Sequence, residues 1–233
     1  GLAAGTLAGW VGSDKGLSRL AKSSSLLAIE AGEIGKQEKL PKTGQVCGTV
    51  RFYFHNILFE NPDGGSGIGE QILAIDPDVI VLVEANENAT RNILPLLGDY
   101  IYTHRWKTDT PDGYLIASRV PLTNIHVAAT TSTRPPLLFK VLLPGCLPLQ
   151  VAAVHLNAPD TGPKVKLWAS EHKILTGILN RTPRRTPLLV LGDFNAGRQH
   201  APFRKLLREA RLYDLTGSCP TWPVGRGRVP TIF

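Results

Sequence analysis

The chain of 233 residues has no methionine, three cysteines and no long hydrophobic run. A complete translation product begins with Met, so a chain opening at Gly1 reads as a processed product or a fragment. Cys47, Cys146 and Cys219 are far apart and form no C-x-x-C pair, which excludes the common zinc and haem motifs and argues against a disulfide framework. One disulfide with a spare thiol fits the count, but three inert thiols are the favoured reading. The uncharged opening from Gly1 to Ser13 is glycine-rich. It is well short of the roughly 20 apolar residues that a membrane-crossing helix needs. It reads as a flexible terminus or as the tail of a removed membrane segment, so localisation stays open between a soluble and a membrane-attached form. Aromatic residues make up 7% and charged residues 19%, against 42% hydrophobic. That is enough apolar side chain for a sizeable core, and it excludes a disordered tail protein.

The net charge of +7 is unevenly spread. Residues 48–162 hold 7 Lys and Arg against 11 Asp and Glu, a balance of −4. Residues 163–185 hold 6 against 1, and 198–233 hold 7 against 2, each +5. A basic second half beside an acidic first half suits a polyanionic substrate held near a cation. A solvated helix face and a basic tail would give the same count, and charge alone reads no bases.

Residues 1–45 are rich in Gly, Ala, Ser and Lys and read as a flexible or juxtamembrane arm, with a short helix over Leu17 to Ile34. The domain is expected over 46–233. Within it, Thr49 to Leu58, Val79 to Val83, Tyr114 to Ala117, Ile125 to Ala129, Leu137 to Leu143, Leu149 to Leu156 and Leu188 to Leu191 read as strands. Helices are expected over Ile68–Ile75, Asn86–Leu97, Pro163–Leu179 and Ala201–Ala210, the third with Leu167, Glu171, Ile174, Leu175 and Ile178 on one side. Consecutive strands in the middle argue against a single doubly wound sheet. They predict an α/β (α+β) sandwich of four layers, two stacked mixed sheets flanked by helices.

Four of the apolar strands end in a group able to do chemistry. Asn56 follows RFYFH, Glu84 follows VIVLV, His155 follows LQVAAV, and Asp193 and Asn195 follow LLVLG. Each alone has a plain reading as an ion pair, a cap or a hydrogen-bonded core residue. Together they converge polar groups on one rim. Burying the carboxylates of Glu84 and Asp193 unpaired would be costly, and a hard divalent cation is the simplest shared partner.

These segments resemble the endonuclease/exonuclease/phosphatase superfamily, the DNase I-like fold. The matching pieces are FHNILFEN at 54–61, PDVIVLVEAN at 77–86, GYLIASRVPL at 113–122, VAAVHLNAP at 151–159 and LGDFNAG at 191–197. LLREARLYDL at 206–215 extends them, and APFRKLL at 201–207 and TWP at 221–223 resemble a bacterial branch whose members often carry hydrophobic N-terminal segments. The resemblance implies a divalent-metal-dependent phosphodiester hydrolase of nuclease type, using Mg²⁺ or alternatively Mn²⁺. Glu84, Asn56 and Asp193 would hold the metal. His155, Asp193 and Asn195 would be catalytic, Asp193 activating the attacking water. Asn56, His155 and Asn195 would contact the substrate phosphate. Arg119 is expected to pack structurally. The substrate is a phosphodiester, nucleic acid among the choices, and a monomer with no protein partner is expected.

The family also ends in a catalytic Asp and an Asp-His pair on its last strands. Beyond Asn195 this chain has one Asp, Asp214, and one His, His200, which opens a helix. The expectation is therefore a domain without its last two strands, impaired as a catalyst, with a strand edge left unpaired near the site. A non-catalytic phosphate- or polyanion-binding domain that keeps the fold is the alternative.

Overall fold

Twice along the chain an apolar strand is followed by a helix and then by a second apolar strand, and this repeated unit fixes the architecture. The computed structural model describes residues 6–9, 25–30, 49–59, 66–106 and 113–215. The first unit is β3 (Thr49–Asn56), α1 (Ser66–Ile75) and β4 (Val79–Val83); the second is β9 (Leu149–His155), α3 (Gly162–Leu179) and β10 (Leu188–Asp193). Each pair of strands is parallel, β3 with β4 and β9 with β10, because each is joined by a helical crossover. Antiparallel neighbours complete two mixed sheets. One runs β2-β3-β4-β6-β5, with β2 Ser25–Glu30, β5 Tyr102–Trp106 and β6 Tyr114–Ser118. The other runs β11-β1-β10-β9-β8-β7, with β1 Thr6–Gly9, β7 Leu122–Val127, β8 Leu137–Val141 and β11 Tyr213–Asp214.

The period-two pleat then sorts the side chains. Phe52, Phe54, Val79, Val81, Val83, Phe139, Val151, Ala153, Leu189 and Leu191 face between the sheets and form one core. The alternate positions face outward. Tyr53, Ile80 and Leu82 pack under α1 and α2 (Glu87–Ile93), while Ala152, Val154 and Val190 pack under α3 and α4 (Ala201–Ala210). The result is the expected four layers, helix, sheet, sheet, helix. Among the described residues no helix is long and apolar enough to cross a membrane.

Several expectations are corrected. Residues 25–30, read as part of a helix, form β2, because the outer edge of β3 offers unpaired backbone groups that a short segment of any sequence can satisfy. The remainder of that helix, 17–24 and 31–34, lies outside the described residues. Pieces of the expected arm are thus sheet strands. β1 lies antiparallel to β10 and β2 antiparallel to β3, so the site-bearing strands β10 and β3 are paired on those sides, against the expectation of a strand edge left bare near the site. β5 was not foreseen; its sequence YTHRW is half-buried and mostly polar. Cys146 is disulfide-bonded, against the reading of three inert thiols. The buried stripe of α3 is Trp168, Glu171, His172, Leu175, Thr176 and Leu179, whereas Leu167 is exposed. The face is rotated because polar residues fill half of it.

Gly192 is required by the close approach of β10 to β9. Its φ is +154°, and a Cβ there would collide with the carbonyl oxygen and side chain of Val154. Gly192→Ala is expected to destabilise the fold by about 1–3 kcal/mol or more. Gly177→Ala, at a helical position with open space around it, is expected to stabilise by about 0.5–1 kcal/mol. Thermal and urea unfolding of the two variants checks both signs.

Two buried imidazoles predict a pH dependence. Burial lowers His55 from 6.5 to about 4. Burial also lowers His172 from 6.5 to about 4, against an upward pull from its hydrogen bond to the Trp168 carbonyl and with a smaller downward push from His200. Both are neutral in the fold, while the unfolded chain takes up their protons near pH 6.5. Stability is therefore full above that pH, falls as pH drops from about 6.5 to about 4, and loses nothing further from these groups below. Each imidazole contributes a slope of up to about 1.4 kcal/mol per pH unit in that window. His172→Gln should flatten the measured unfolding curve by about one proton; an unchanged slope refutes the assignment.

Candidate active site

The same pleat that builds the inter-sheet core also aims the polar residues at its end. Asn56 continues the inward set Phe52 and Phe54 on β3. His155 continues Val151 and Ala153 on β9, and Asp193 continues Leu189 and Leu191 on β10. Asp193 and His155 are register partners across β10 and β9, and Asn56 pairs with Val83, the residue before Glu84. Glu84 would alternate outward, but its φ of +56° breaks the strand and turns the side chain back to the rim. Leu58 (φ +65°) and Asn195 (φ +47°) are also left-handed, so three such non-glycine residues surround one site.

Asn56 joins the two sheets. Its Nδ2 donates to Glu84 Oε1 at 2.9 Å and to Asp193 Oδ2 at 3.0 Å, while its Oδ1 accepts the Leu58 N–H at 3.0 Å. The amide orientation is fixed by that arrangement, because a flipped amide would set its oxygen against two carboxylates. The two bonds hold the carboxylate oxygens within 5.9 Å of each other. Glu84 Oε2 accepts the Phe59 N–H at 2.7 Å, and Oε1 lies 3.2 Å from His155 Nε2. Burial alone would raise the Glu84 pKa, yet hydrogen bonds from His155, Phe59 N–H and Asn56, with the charge of His155, hold it at about 2. The carboxylate is ionised throughout the neutral range.

Asp193 Oδ1 accepts the Asn195 N–H at 2.8 Å, and the Leu156 N–H reaches the Asp193 carbonyl at 2.8 Å. The Asn195 amide donates to the Leu156 carbonyl at 2.8 Å, so it ties the exit of β9 to the turn after β10. Behind that turn, Trp168 Nε1 donates to the Phe194 carbonyl at 3.0 Å. His200 Nδ1 accepts the Gly197 N–H at 2.8 Å, and the His172 and His200 rings stand edge-on to Trp168. The structure thus brings together Asn56, Glu84, His155, Asp193 and Asn195. Arg119 lies at the opposite end of β6, bonded to Asp76 and stacked 4.5 Å over the Tyr100 ring, in the structural role expected of it.

Sequence reasoning missed three residues here. Arg134 Nη1 lies 2.8 Å from His155 Nε2 and 3.3 Å from the Leu156 carbonyl. Arginine only donates, so Nε2 cannot accept from Arg134 while donating to Glu84; the two contacts exclude each other as hydrogen bonds. Asn157 and Glu171 stand behind, the Asn157 Nδ2 donating to Glu171 Oε1 at 2.7 Å. Arg134 sits in the loop before β8, a position without periodicity, and Glu171 reads in the sequence as an ordinary member of a helix face.

The donors fit a hard divalent cation in kind: two carboxylates on one rim, oxygen ligands, and an amide N–H₂ standing where two negative groups need positive charge. Among the described residues no group of three or more His, Cys, Asp or Glu is gathered closely enough to hold a metal by itself. A site of this kind would complete its shell with water and substrate oxygen.

Compared with curated protein sequences, the chain has no match. Among solved structures it is similar to a beta toxin of Staphylococcus aureus, at 16% identity and a TM-score of 0.58, covering 71% of this chain and 72% of that one. A variant of the same toxin with bound magnesium ions matches at 16% identity and 0.57, covering 71% of each. TDP2 of D. rerio, complexed with a single-strand DNA product, matches at 16% and 0.56, covering 66% of this chain and 62% of that one. The chain thus spans less than two thirds of that TDP2 chain. At these identities the likeness establishes the fold. The sequence profile of the Endonuclease/Exonuclease/phosphatase family matches residues 54–232, which is most of the chain, and the chain belongs to that family.

Proposed function

We propose that this domain hydrolyses phosphodiesters with a divalent cation, Mg²⁺ or Mn²⁺, in the manner of a nuclease. The observation that carries this reading is the Asn56 amide bridging Glu84 and Asp193 from two different sheets. Glu84 and Asp193 would hold the cation, which when bound supplies charge neutralisation at the non-bridging oxygens. Asn56 would join them through Oδ1 only with its amide turned over, because its Nδ2 here faces both carboxylates and its Oδ1 accepts the Leu58 N–H. A ring N–H of His155 would donate a hydrogen bond to a phosphoryl oxygen. Asp193 takes the proton of the attacking water, and Asn195 fixes the turn that carries Asp193. The magnesium in the toxin variant and the DNA product in TDP2 support a cation and a nucleic-acid strand as first choices to test.

The test is hydrolysis of bis(p-nitrophenyl) phosphate by the 233-residue chain with Mg²⁺ and with EDTA, beside calorimetric Mg²⁺ binding. Mg²⁺ is expected to support slow turnover, since beyond Asn195 the chain carries only Asp214 and His200 and no Asp-His pair, and to raise the unfolding temperature, and EDTA to reverse both. Asp193→Ala and Glu84→Gln are each expected to lower turnover about 10²-fold or more and to abolish Mg²⁺ binding. Turnover independent of both residues sinks the proposal. Binding of Mg²⁺ and phosphate without turnover places the chain with the non-catalytic reading.

A further inference from the structure

α3 backs the site, and one of its buried residues is a carboxylate that none of the roles above employs. Glu171 is 1% exposed. A carboxylate so placed is costly unless its oxygens are satisfied. Oε1 accepts the Ser132 hydroxyl at 3.0 Å and the Asn157 side-chain amide at 2.7 Å, and Oε2 accepts the Asn157 backbone N–H at 2.9 Å. These donors come from two separate stretches of chain, and both lead to the site. The Ser132 oxygen accepts the backbone N–H of Arg134 at 3.0 Å, and Arg134 Nη1 stands 2.8 Å from His155 Nε2. Asn157 is two residues past His155 at the exit of β9, and its Nδ2 also reaches Thr133 Oγ1 at 3.2 Å. Glu171 is thus the common acceptor that clamps residues 132–134 to the end of β9.

We propose that Glu171 is a positioning residue of the phosphate site, holding the Arg134 guanidinium beside the His155 imidazole so that one phosphoryl group meets both. The proposal rests on the phosphodiesterase reading and deepens it. A guanidinium presents paired donors to phosphate oxygens in a fixed fork, which helps only if the backbone carrying it is fixed as well. The carboxylate is specifically needed. A glutamine has one acceptor oxygen, and its N–H₂ would face the Asn157 donors.

The test measures inorganic phosphate affinity in the presence of Mg²⁺, Mg²⁺ affinity alone, thermal midpoint, and KM against kcat on bis(p-nitrophenyl) phosphate. Glu171→Gln is expected to weaken phosphate binding about tenfold or more and to raise KM, with Mg²⁺ affinity unchanged. Thr176→Val on the same helix loses a hydrogen bond to the His172 carbonyl. It is expected to lower the thermal midpoint without touching phosphate affinity. A Glu171→Gln protein that melts like Thr176→Val and binds phosphate like wild type overturns the proposal. If Glu171→Gln does not fold, Ser132→Ala and Asn157→Ala decide, and wild-type phosphate affinity in both overturns it equally. Asp193→Ala keeping wild-type Mg²⁺ and phosphate affinity would overturn the phosphodiesterase reading and this proposal with it. The expected Asp193→Ala losses beside an unaffected Glu171→Gln overturn the proposal alone.

Discussion

Two carboxylates carried by two different sheets face each other at the end of one core, and the amide of Asn56 stands between them. Two like charges no more than about 6 Å apart at an effective dielectric of about 20 repel by at least about 3 kcal/mol. An amide with one hydrogen for each carboxylate offsets part of that. A cation would offset far more, which makes the rim a place that attracts positive charge. Everything else at the site follows from keeping these two groups together. The sheets must stack so that β10 lies over β3 and β4 over β9, and both parallel pairs must end on the same side. One core filled by Phe52, Phe54, Val81, Val83, Leu189 and Leu191 achieves this, so stability of the core and placement of the site are one constraint.

The rim is bought with backbone strain at Leu58, Glu84 and Asn195, all left-handed without being glycine. Each costs of order 1–3 kcal/mol and persists only because the surroundings over-determine it. For Glu84 the surroundings are the Phe59 N–H, Asn56 and His155. For Asn195 they are Asp193, Leu156 and the Trp168 wall behind Phe194. The strain is therefore matched by hydrogen bonds that also aim the side chains. Removing an aiming bond releases strain and misplaces the group together.

The parts legible in the sequence were those with a strong period. Val79 to Val83 and Ala201 to Ala210 form their elements with the bounds read from the sequence, and the polar residue after each apolar run lies on the rim. Glu84 was legible for a reason that the period cannot supply, since alternation alone would have turned it outward. Glu171 and Leu175 of the face read for α3 are buried as expected, but the rest was misjudged because His172 and Thr176 are buried with hydrogen bonds rather than by apolarity. β1 and β2 were not legible, because an edge accepts a partner through backbone groups, which leave no mark on side-chain pattern. Arg134 was hidden in a loop where position depends on a distant carboxylate.

Charge counted along the chain does not say which cation stands at the rim. The basic stretch at 163–185 is α3 and the turn after it; Trp168 and Glu171 back the site, while Leu179 and Asn180 border a cleft of about 450 Å³ at the start of β10. Arg184 lines that cleft beside Leu188, five residues along β10 from Asp193, or about 17 Å. Lys164 is engaged by Asp160 at 2.9 Å on the exposed side. Among the described residues, the cation seated against His155 is Arg134, which belongs to the stretch whose balance is −4. Arg184 therefore acts at the far end of the sheet from the rim. At the rim, phosphate would be met by one guanidinium and one imidazole in fixed positions. Such a contact depends on the loop that carries the guanidinium far more than on the sum of surface charge. Ionic strength should then bear on the rate of encounter more than on the bound geometry.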